Sequence, residues 1–355
     1  MFKYLRWLLL PFSWLYGIVV IIRNWCYNVG IFKSQSFAIP VISVGNLDVG
    51  GAGKSPMTEY LVRLLKDHYK VATLSRGYGR KTRGFLIADA NNSASEIGDE
   101  PAQFKHQFPE VTVAVCEKRV KGIEQLQQGH DVVILDDAYQ HRAVKPGLSI
   151  LLFDFNRIDE PQFLLPAGKL REPFGGRKRA DMIVITKCPP QLDAAERERV
   201  ETRIKPFSQQ KLFFSCISYL PLEDMQGNQS TVQISHDTTV FLITGIASTA
   251  PLVDELQKRA GQVIHHKYPD HHPYTLKNIA KLADEFNACK TLKKLLVTTQ
   301  KDAQRLSEHA LHDAIEQLNI LVLPIRTGFL EGGGSQFDQM IENYVREHTT
   351  HNQLH

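Results

Sequence analysis

The stretch Val41 to Pro56, VISVGNLDVGGAGKSP, constrains this chain more than any other. β-favouring residues lead into a glycine-rich turn, and Gly53-Lys54-Ser55 opens a run in which Met57, Leu61, Leu64 and Leu65 recur at helical spacing. The pattern is strand, loop and helix N-terminus. Gly50, Gly51 and Gly53 let backbone N–H groups close around phosphate oxygens, and the helix dipole favours the anion. Lys54 reaches the outer phosphates and the Ser55 hydroxyl can ligate Mg²⁺. The chemistry implied is binding of a nucleoside triphosphate, with nothing in the stretch to separate adenine from guanine. Asp48 stands where the strict pattern has glycine.

A chain of 355 residues exceeds the usual size of one compact core, so about two domains are expected. A formal charge of +4 is too mild to argue for nucleic acid. The five cysteines, Cys26, Cys116, Cys188, Cys216 and Cys289, are odd in number and show no ligand spacing, so they read as free thiols in a reducing compartment.

The N-terminus is of another character. Trp7 to Ile22, WLLLPFSWLYGIVVII, carries no charge, has Lys3 and Arg6 before it and Arg23 after it, and is studded with Trp14, Tyr16, Trp25 and Tyr27. Flanking charge and aromatics suit a membrane interface. The run is slightly short of the roughly 20 residues a crossing needs, and Pro11 is placed to kink it, so one-leaflet insertion and full crossing both stand. No small-x-small cleavage site follows it.

After the loop helix, short apolar strands alternate with helical stretches, as in a parallel α/β sheet. Strands are expected at Val71–Leu74, Val111–Val115, Val132–Leu135, Leu148–Phe153 and Met182–Thr186. In such sheets ligands bind beyond the strand C-termini. The strand at Val132 ends in Asp136-Asp137, acids placed to hold Mg²⁺ opposite the phosphate loop. Val71–Leu74 runs into Ser75-Arg76-Gly77-Tyr78-Gly79-Arg80, where guanidinium groups and an aromatic can grip phosphate or sugar. Asp99, in Ile97-Gly98-Asp99-Glu100-Pro101, precedes a helix and reads on its own as an N-cap. Arg119 lies just past another strand end, and Gln140-His141-Arg142 follows the acidic pair.

Together these segments resemble the tetraacyldisaccharide 4'-kinases of lipid A biosynthesis. The resemblance runs through VGNLDVGGAGKSP, SRGYGR, IGDEP, ILDDAYQHR, PAGKLREP, ITK (Ile185 to Lys187), TGIA (Thr244 to Ala247), YPDHH (Tyr268 to His272) and TQKDAQRL (Thr299 to Leu306), and so spans almost the whole chain. It implies ATP and Mg²⁺ as cofactors, with Lys54, Ser55, Asp136 and Asp137 at phosphates and metal. It implies that Asp99 acts with His271 to activate the acceptor hydroxyl, and that Arg76, Tyr78, Arg119, Gln140, Arg171 and Glu172 lie near nucleotide or acceptor. The acceptor it implies is an acylated glucosamine disaccharide 1-phosphate, phosphorylated at its 4'-hydroxyl at the cytoplasmic face of an inner membrane, with no nucleic acid and no obligate protein partner. Asp48 and Gln300 depart from the family's pattern, and neither receives a role.

The expected organisation is an α/β chain: a membrane-associated helix at 1–34, a P-loop NTPase-like parallel-sheet domain at 35–220, a smaller α/β domain at 221–325, and a C-terminal helix and tail at 326–355. With Asp99 in one domain and His271 in the other, the pair is expected to form on hinge closure. Two rivals remain on the residues alone. One is a membrane-associated ATPase or GTPase switch without a lipid acceptor, the other a docking protein that binds nucleotide and turns nothing over.

Overall fold

The computed structural model describes residues 8–89, 92–307 and 311–352, with side chains as far as Thr349. Lys3, Arg6 and Trp7 of the N-terminal expectation lie outside the described residues, as does the extreme C-terminus.

Two sheets carry the α/β fold. The first contains β1 (Val41–Asn46), β2 (Val71–Ser75), β3 (Leu86–Ile87), β4 (Thr112–Val115), β5 (Val132–Asp136), β6 (Leu148–Asp154), β7 (Met182–Thr186) and β8 (Lys211–Tyr219). The second contains β9 (Thr238–Thr244), β10 (Gln262–Lys267), β11 (Lys293–Thr299) and β12 (Ile320–Leu323), and β13 (Ile325–Phe329) returns to the first. The strand orders are β13-β8-β7-β6-β1-β5-β2-β4-β3 and β10-β9-β11-β12. The second sheet is parallel throughout.

The large sheet is mixed, not purely parallel. β3 and β13, at its two edges, pair antiparallel with β4 and β8. Pro324 makes the second edge. It has no N–H to continue a ladder, so the apolar run from Ile320 splits into one strand for each sheet.

Every residue of β1, β5, β6 and β7 is buried, as strands covered by helices on both faces must be. β1 lies at the centre between β5 and β6, with Val44 level with Asp136 across the ladder. Its C-terminal end opens on the crevice where parallel sheets take ligands. The last helix, Gly333–Asn352, packs back over this sheet with Phe337, Ile341 and Val345 fully buried, and the Tyr344 hydroxyl accepts from Val41 N at 3.0 Å.

The N-terminal helix is Leu10–Asn28. Pro11 falls in its first turn, where a missing N–H costs no helical bond, so it starts the helix instead of kinking it. A small-residue face seats it on the protein. Ser13 Oγ donates to Leu164 O at 3.0 Å, the Tyr16 hydroxyl donates to Arg171 O at 2.7 Å, and Gly17 is buried against Leu164. The opposite face presents Phe12, Trp14, Leu15, Ile18, Val19 and Ile22 to the exterior, each more than half exposed. Among the described residues no helix is long and apolar enough to cross a membrane.

Candidate active site

The loop after β1 turns into the helix Lys54–Leu65 through Gly53, whose φ of 84° lies in the left-handed region that glycine enters without strain. Lys54 sits at the first position of that helix. Its ammonium donates to Asn46 Oδ1 at 3.3 Å and Gly50 O at 3.4 Å, and stands 3.9 Å from Asp137 Oδ1. The end of β7, two strands away from β1, braces the loop, since the Thr186 hydroxyl donates to Ala52 O and Lys187 bridges Gly51 O to Asp154 at the end of β6.

At the end of β5 the two acids divide. Asp136 is 3 % exposed and accepts from the Thr58 hydroxyl at 3.3 Å. Burial, with the charges of Glu100 and Asp137, pushes its carboxyl up to about 7 against the pull of Lys54. Asp137 is also drawn upward by burial, but Lys54 and Arg171 outweigh this and hold it below the usual carboxylate range. Arg171 grips both of its oxygens, at 2.8 and 3.2 Å. Behind them Arg119 is buried, with Nη1 donating to Cys116 O at 2.7 Å and Nε unpartnered. Burial lowers its guanidinium to about 10 in spite of the two acids.

Asp99 and Glu100 point to different places. Glu100 accepts from the Ser55 hydroxyl at 3.0 Å and lies 3.5 Å from Lys301 Nζ. Asp99 is the first residue of the helix Asp99–Gln107, not its cap, a position Gly98 fills. Its Oδ2 accepts from His271 Nδ1 at 2.7 Å and from Arg305 Nε and Nη2 at 2.9 and 2.8 Å. Burial opposes the charge, yet Arg305 and His271 prevail and hold Asp99 below the ordinary aspartate range. The expected pair therefore stands assembled here across the two sheets, with no further closure needed to bring it together.

Of the residues expected near nucleotide or acceptor, Arg76 and Tyr78 are exposed at the rim, the Tyr78 ring 6.1 Å from that of His271. Glu172, only 1 % exposed, is fully engaged: it accepts from Arg179 at 2.8 Å on each oxygen, from Gln140 at 3.1 Å and from Asn24 at 3.3 Å. Gln140 in turn donates to Asn46 O at 2.7 Å. These two brace the crevice floor and tie it to the N-terminal helix. Asp48 faces Arg157 at 3.5 Å and Gln300 accepts from Ile325 N at 3.3 Å, so both departures are absorbed locally.

Sequence reasoning missed Glu100, Asn46, Arg305 and Asp302. The second acid of GDEP and the charged residues of TQKDAQRL carried the signal for three of them. For Asn46, the last residue of a buried strand, only the fold supplies it.

Ser55, Glu100 and Asp136 together offer the hard oxygen donors that suit Mg²⁺, and the raised carboxyl of Asp136 marks a place short of positive charge. Among the described residues no group of three or more His, Cys, Asp or Glu side chains can hold a metal unaided.

Residues 5–346 match the family model described as tetraacyldisaccharide-1-P 4'-kinase. The chain is 42% identical to the tetraacyldisaccharide 4'-kinase of Bacteroides thetaiotaomicron over 97% of this chain and 94% of that protein. It is 40% identical to the protein of that name from Flavobacterium psychrophilum, over 98% of this chain and 99% of that one. Among solved structures it resembles the "apo" form of LpxK from Aquifex aeolicus in complex with ATP, with a TM-score of 0.74 and 30% identity, covering 96% of this chain and 99% of the other.

Proposed function

The chain belongs to the tetraacyldisaccharide-1-P 4'-kinase family, and from that premise we propose that it transfers the γ-phosphate of ATP to the 4'-hydroxyl of an acylated glucosamine disaccharide 1-phosphate, a lipid A precursor. The observation that carries this reading is a pair of neighbours. Glu100 reaches the phosphate loop at Ser55, while Asp99, one residue before it, reaches His271 on the second sheet. A nucleotide switch needs no such proton-handling pair beside its phosphate loop. A sugar hydroxyl does, because it is a poor nucleophile at neutral pH.

Each group then has a task. Lys54 and the backbone N–H groups of Gly50, Gly51 and Gly53 hold the phosphates. Asp136, Glu100 and Ser55 would hold Mg²⁺, which would supply positive charge against that of the phosphates, and Asp137, clamped by Arg171, keeps Lys54 oriented. Arg119 adds positive charge from behind the acids, and Arg76, Tyr78 and Arg171 meet the acceptor at the rim. Asp99 and His271 remove the proton from the attacking hydroxyl.

The chain is read as a P-loop NTPase-like domain at 35–220, a smaller α/β domain at 221–325, and a C-terminal segment from 326 that rejoins the first sheet. The helix Leu10–Asn28 lies in one leaflet at the cytoplasmic face of the inner membrane. Its outward face offers six large apolar side chains, each worth roughly 1.5–3 kcal/mol when buried. An acylated acceptor stays in that membrane, and the crevice is tied to the helix through Glu172 and Asn24.

The experiment is transfer from γ-labelled ATP with Mg²⁺ in detergent micelles, with and without the tetraacyl disaccharide 1-phosphate, comparing wild type with Asp99→Ala. Label on the lipid, falling at least about a hundredfold in the variant while nucleotide still binds, supports the reading. Lipid-independent release of phosphate, with no labelled lipid, would replace it with a nucleotide switch.

A further inference from the structure

The glycine-rich loop is gripped from outside by two cations that no step so far employs. Arg157 Nη1 donates to Val49 O at 3.3 Å, Lys187 Nζ donates to Gly51 O, and the Thr186 hydroxyl donates to Ala52 O at 2.8 Å. Three of the loop's carbonyls are thus taken by side chains at or just past the ends of β6 and β7. The N–H groups of Gly50, Gly51 and Gly53 find no acceptor among the described residues. A loop held by its carbonyls is fixed in a shape that leaves those N–H groups for phosphate oxygens.

Each cation stands beside an acid. Lys187 Nζ donates to Asp154 Oδ2 at 2.7 Å, and Arg157 Nη2 lies 3.5 Å from Asp48 Oδ2. Asp154 also caps the short turn that carries Arg157, its Oδ1 accepting from Asn156 N at 3.0 Å, so the two braces share an anchor. The Arg157 and Asp48 side chains are only 17 % and 23 % exposed, so solvent screens them less than it would at an open surface. The guanidinium lies against the loop itself, because a Cβ on Gly50 would stand 3.2 Å from Nη1. Glu160 and Lys169 complete the surroundings, with Glu160 Oε2 3.5 Å from Arg157 Nε and 2.9 Å from Lys169 Nζ.

Asp48 is the residue that occupies the glycine position of the strict pattern. As the chain stands, Asp48, Arg157, Glu160 and Lys169 balance in charge, whereas glycine at 48 would leave one positive charge uncancelled against the loop. Such a charge attracts any polyphosphate, and it holds ADP as well as ATP because both place phosphates in the same loop. We propose that Arg157 is a positioning residue that keeps the phosphate loop in its binding shape, and that Asp48 cancels its charge so that ADP is released. The departure from the pattern then has a purpose: it weakens the hold on nucleotide while the loop keeps its brace.

This inference rests on the nucleotide-binding half of the kinase reading, and its test needs no acceptor. Full-length protein in non-ionic micelles is titrated with labelled ATP and with labelled ADP, each with Mg²⁺, at about 50 mM and about 500 mM KCl. Asp48→Asn should bind both nucleotides at least about fivefold more tightly than wild type at the lower salt, and the gain should shrink to under about twofold at the higher. Damage to the loop's shape would weaken binding, so the sign separates a cancelled charge from a structural role. Arg157→Gln should weaken both nucleotides at least about tenfold, with part of the loss restored in Arg157→Lys and part in Asp48→Asn/Arg157→Gln. In the transfer assay Asp48→Asn should be half-inhibited by ADP at a correspondingly lower concentration. Should Arg157→Gln fail to fold, Asp48→Asn, an isostere whose amide oxygen can still accept from Arg157, carries the test alone. Equal or weaker binding in Asp48→Asn, a gain indifferent to salt, or unaltered binding in Arg157→Gln overturns the proposal. A wild type that binds ATP but labels no lipid overturns the kinase reading alone, because the affinities are still read.

Discussion

The Ser55 hydroxyl donates to Glu100 Oε1 at 3.0 Å, joining the phosphate loop to the helix whose first residue, Asp99, reaches the second sheet. The contact places a third carboxylate beside Asp136 and Asp137, where the cumulative negative charge faces Lys54, Arg171 and Arg119, with Lys301 3.5 Å from Glu100.

Glu100→Gln keeps the shape of that contact and removes its charge. The Mg²⁺ concentration giving half-maximal transfer should rise about tenfold or more, with a smaller change in KM for ATP. A Mg²⁺ titration of the labelled-lipid assay checks it, and an unchanged midpoint would exclude Glu100 from the ion's surroundings.

Asp136 gives a pH dependence whose sign is fixed. Its carboxyl is raised to about 7 in the folded protein, whereas an unfolded aspartate titrates near 3.9. The folded state therefore binds the proton more tightly, and this group's stabilisation is complete below about pH 4 and lost as pH rises through 7. Asp136→Asn should melt a few degrees above wild type at pH 8 in Mg²⁺-free buffer, and the gap should narrow as pH falls below 7 and close only by about pH 4. Thermal unfolding across that range tests it; a gap independent of pH would mean that burial of the charge is not what costs stability.

The outward face of the N-terminal helix should govern membrane attachment. Replacing Trp14, Ile18 and Ile22 together by glutamate removes three apolar anchors, each more than half exposed and without a packing role in the protein. Co-sedimentation with anionic vesicles should fall at least about tenfold while ATP affinity is unchanged. Undiminished sedimentation would place the lipid contact elsewhere.

Gly17 decides whether that helix sits on the crevice at all. A Cβ there would lie 2.8 Å from Leu164 Cδ1, tighter than packed atoms tolerate. Gly17→Leu should destabilise the protein by about 1–3 kcal/mol and weaken transfer to lipid through the displaced Asn24–Glu172 link. Denaturant unfolding beside the transfer assay measures both. Full retention of both would show that the helix seat is plastic.

The sequence by itself determined the local chemistry of this protein. VGGAGKS specifies the glycine-rich turn into a helix N-terminus on which the proposed phosphate binding rests, because backbone N–H groups, glycine dihedrals and a helix start are properties of consecutive residues. Asp136 and Asp137 were legible because a strand's end is where its polar residues must emerge, and the outward-facing N-terminal helix was legible because an uncharged apolar run has few other uses. Only the tertiary structure decided what the chain's distant parts do to one another. That Arg305 joins the Asp99–His271 pair that the family resemblance implies, that Glu172 is spent on Arg179 and Gln140, and that Pro324 hands the chain from one sheet to the other depend on contacts between residues far apart in sequence. Hydrogen bonds and ion pairs act over a few ångströms, and no spacing along the chain records which remote side chain the fold will bring within that reach.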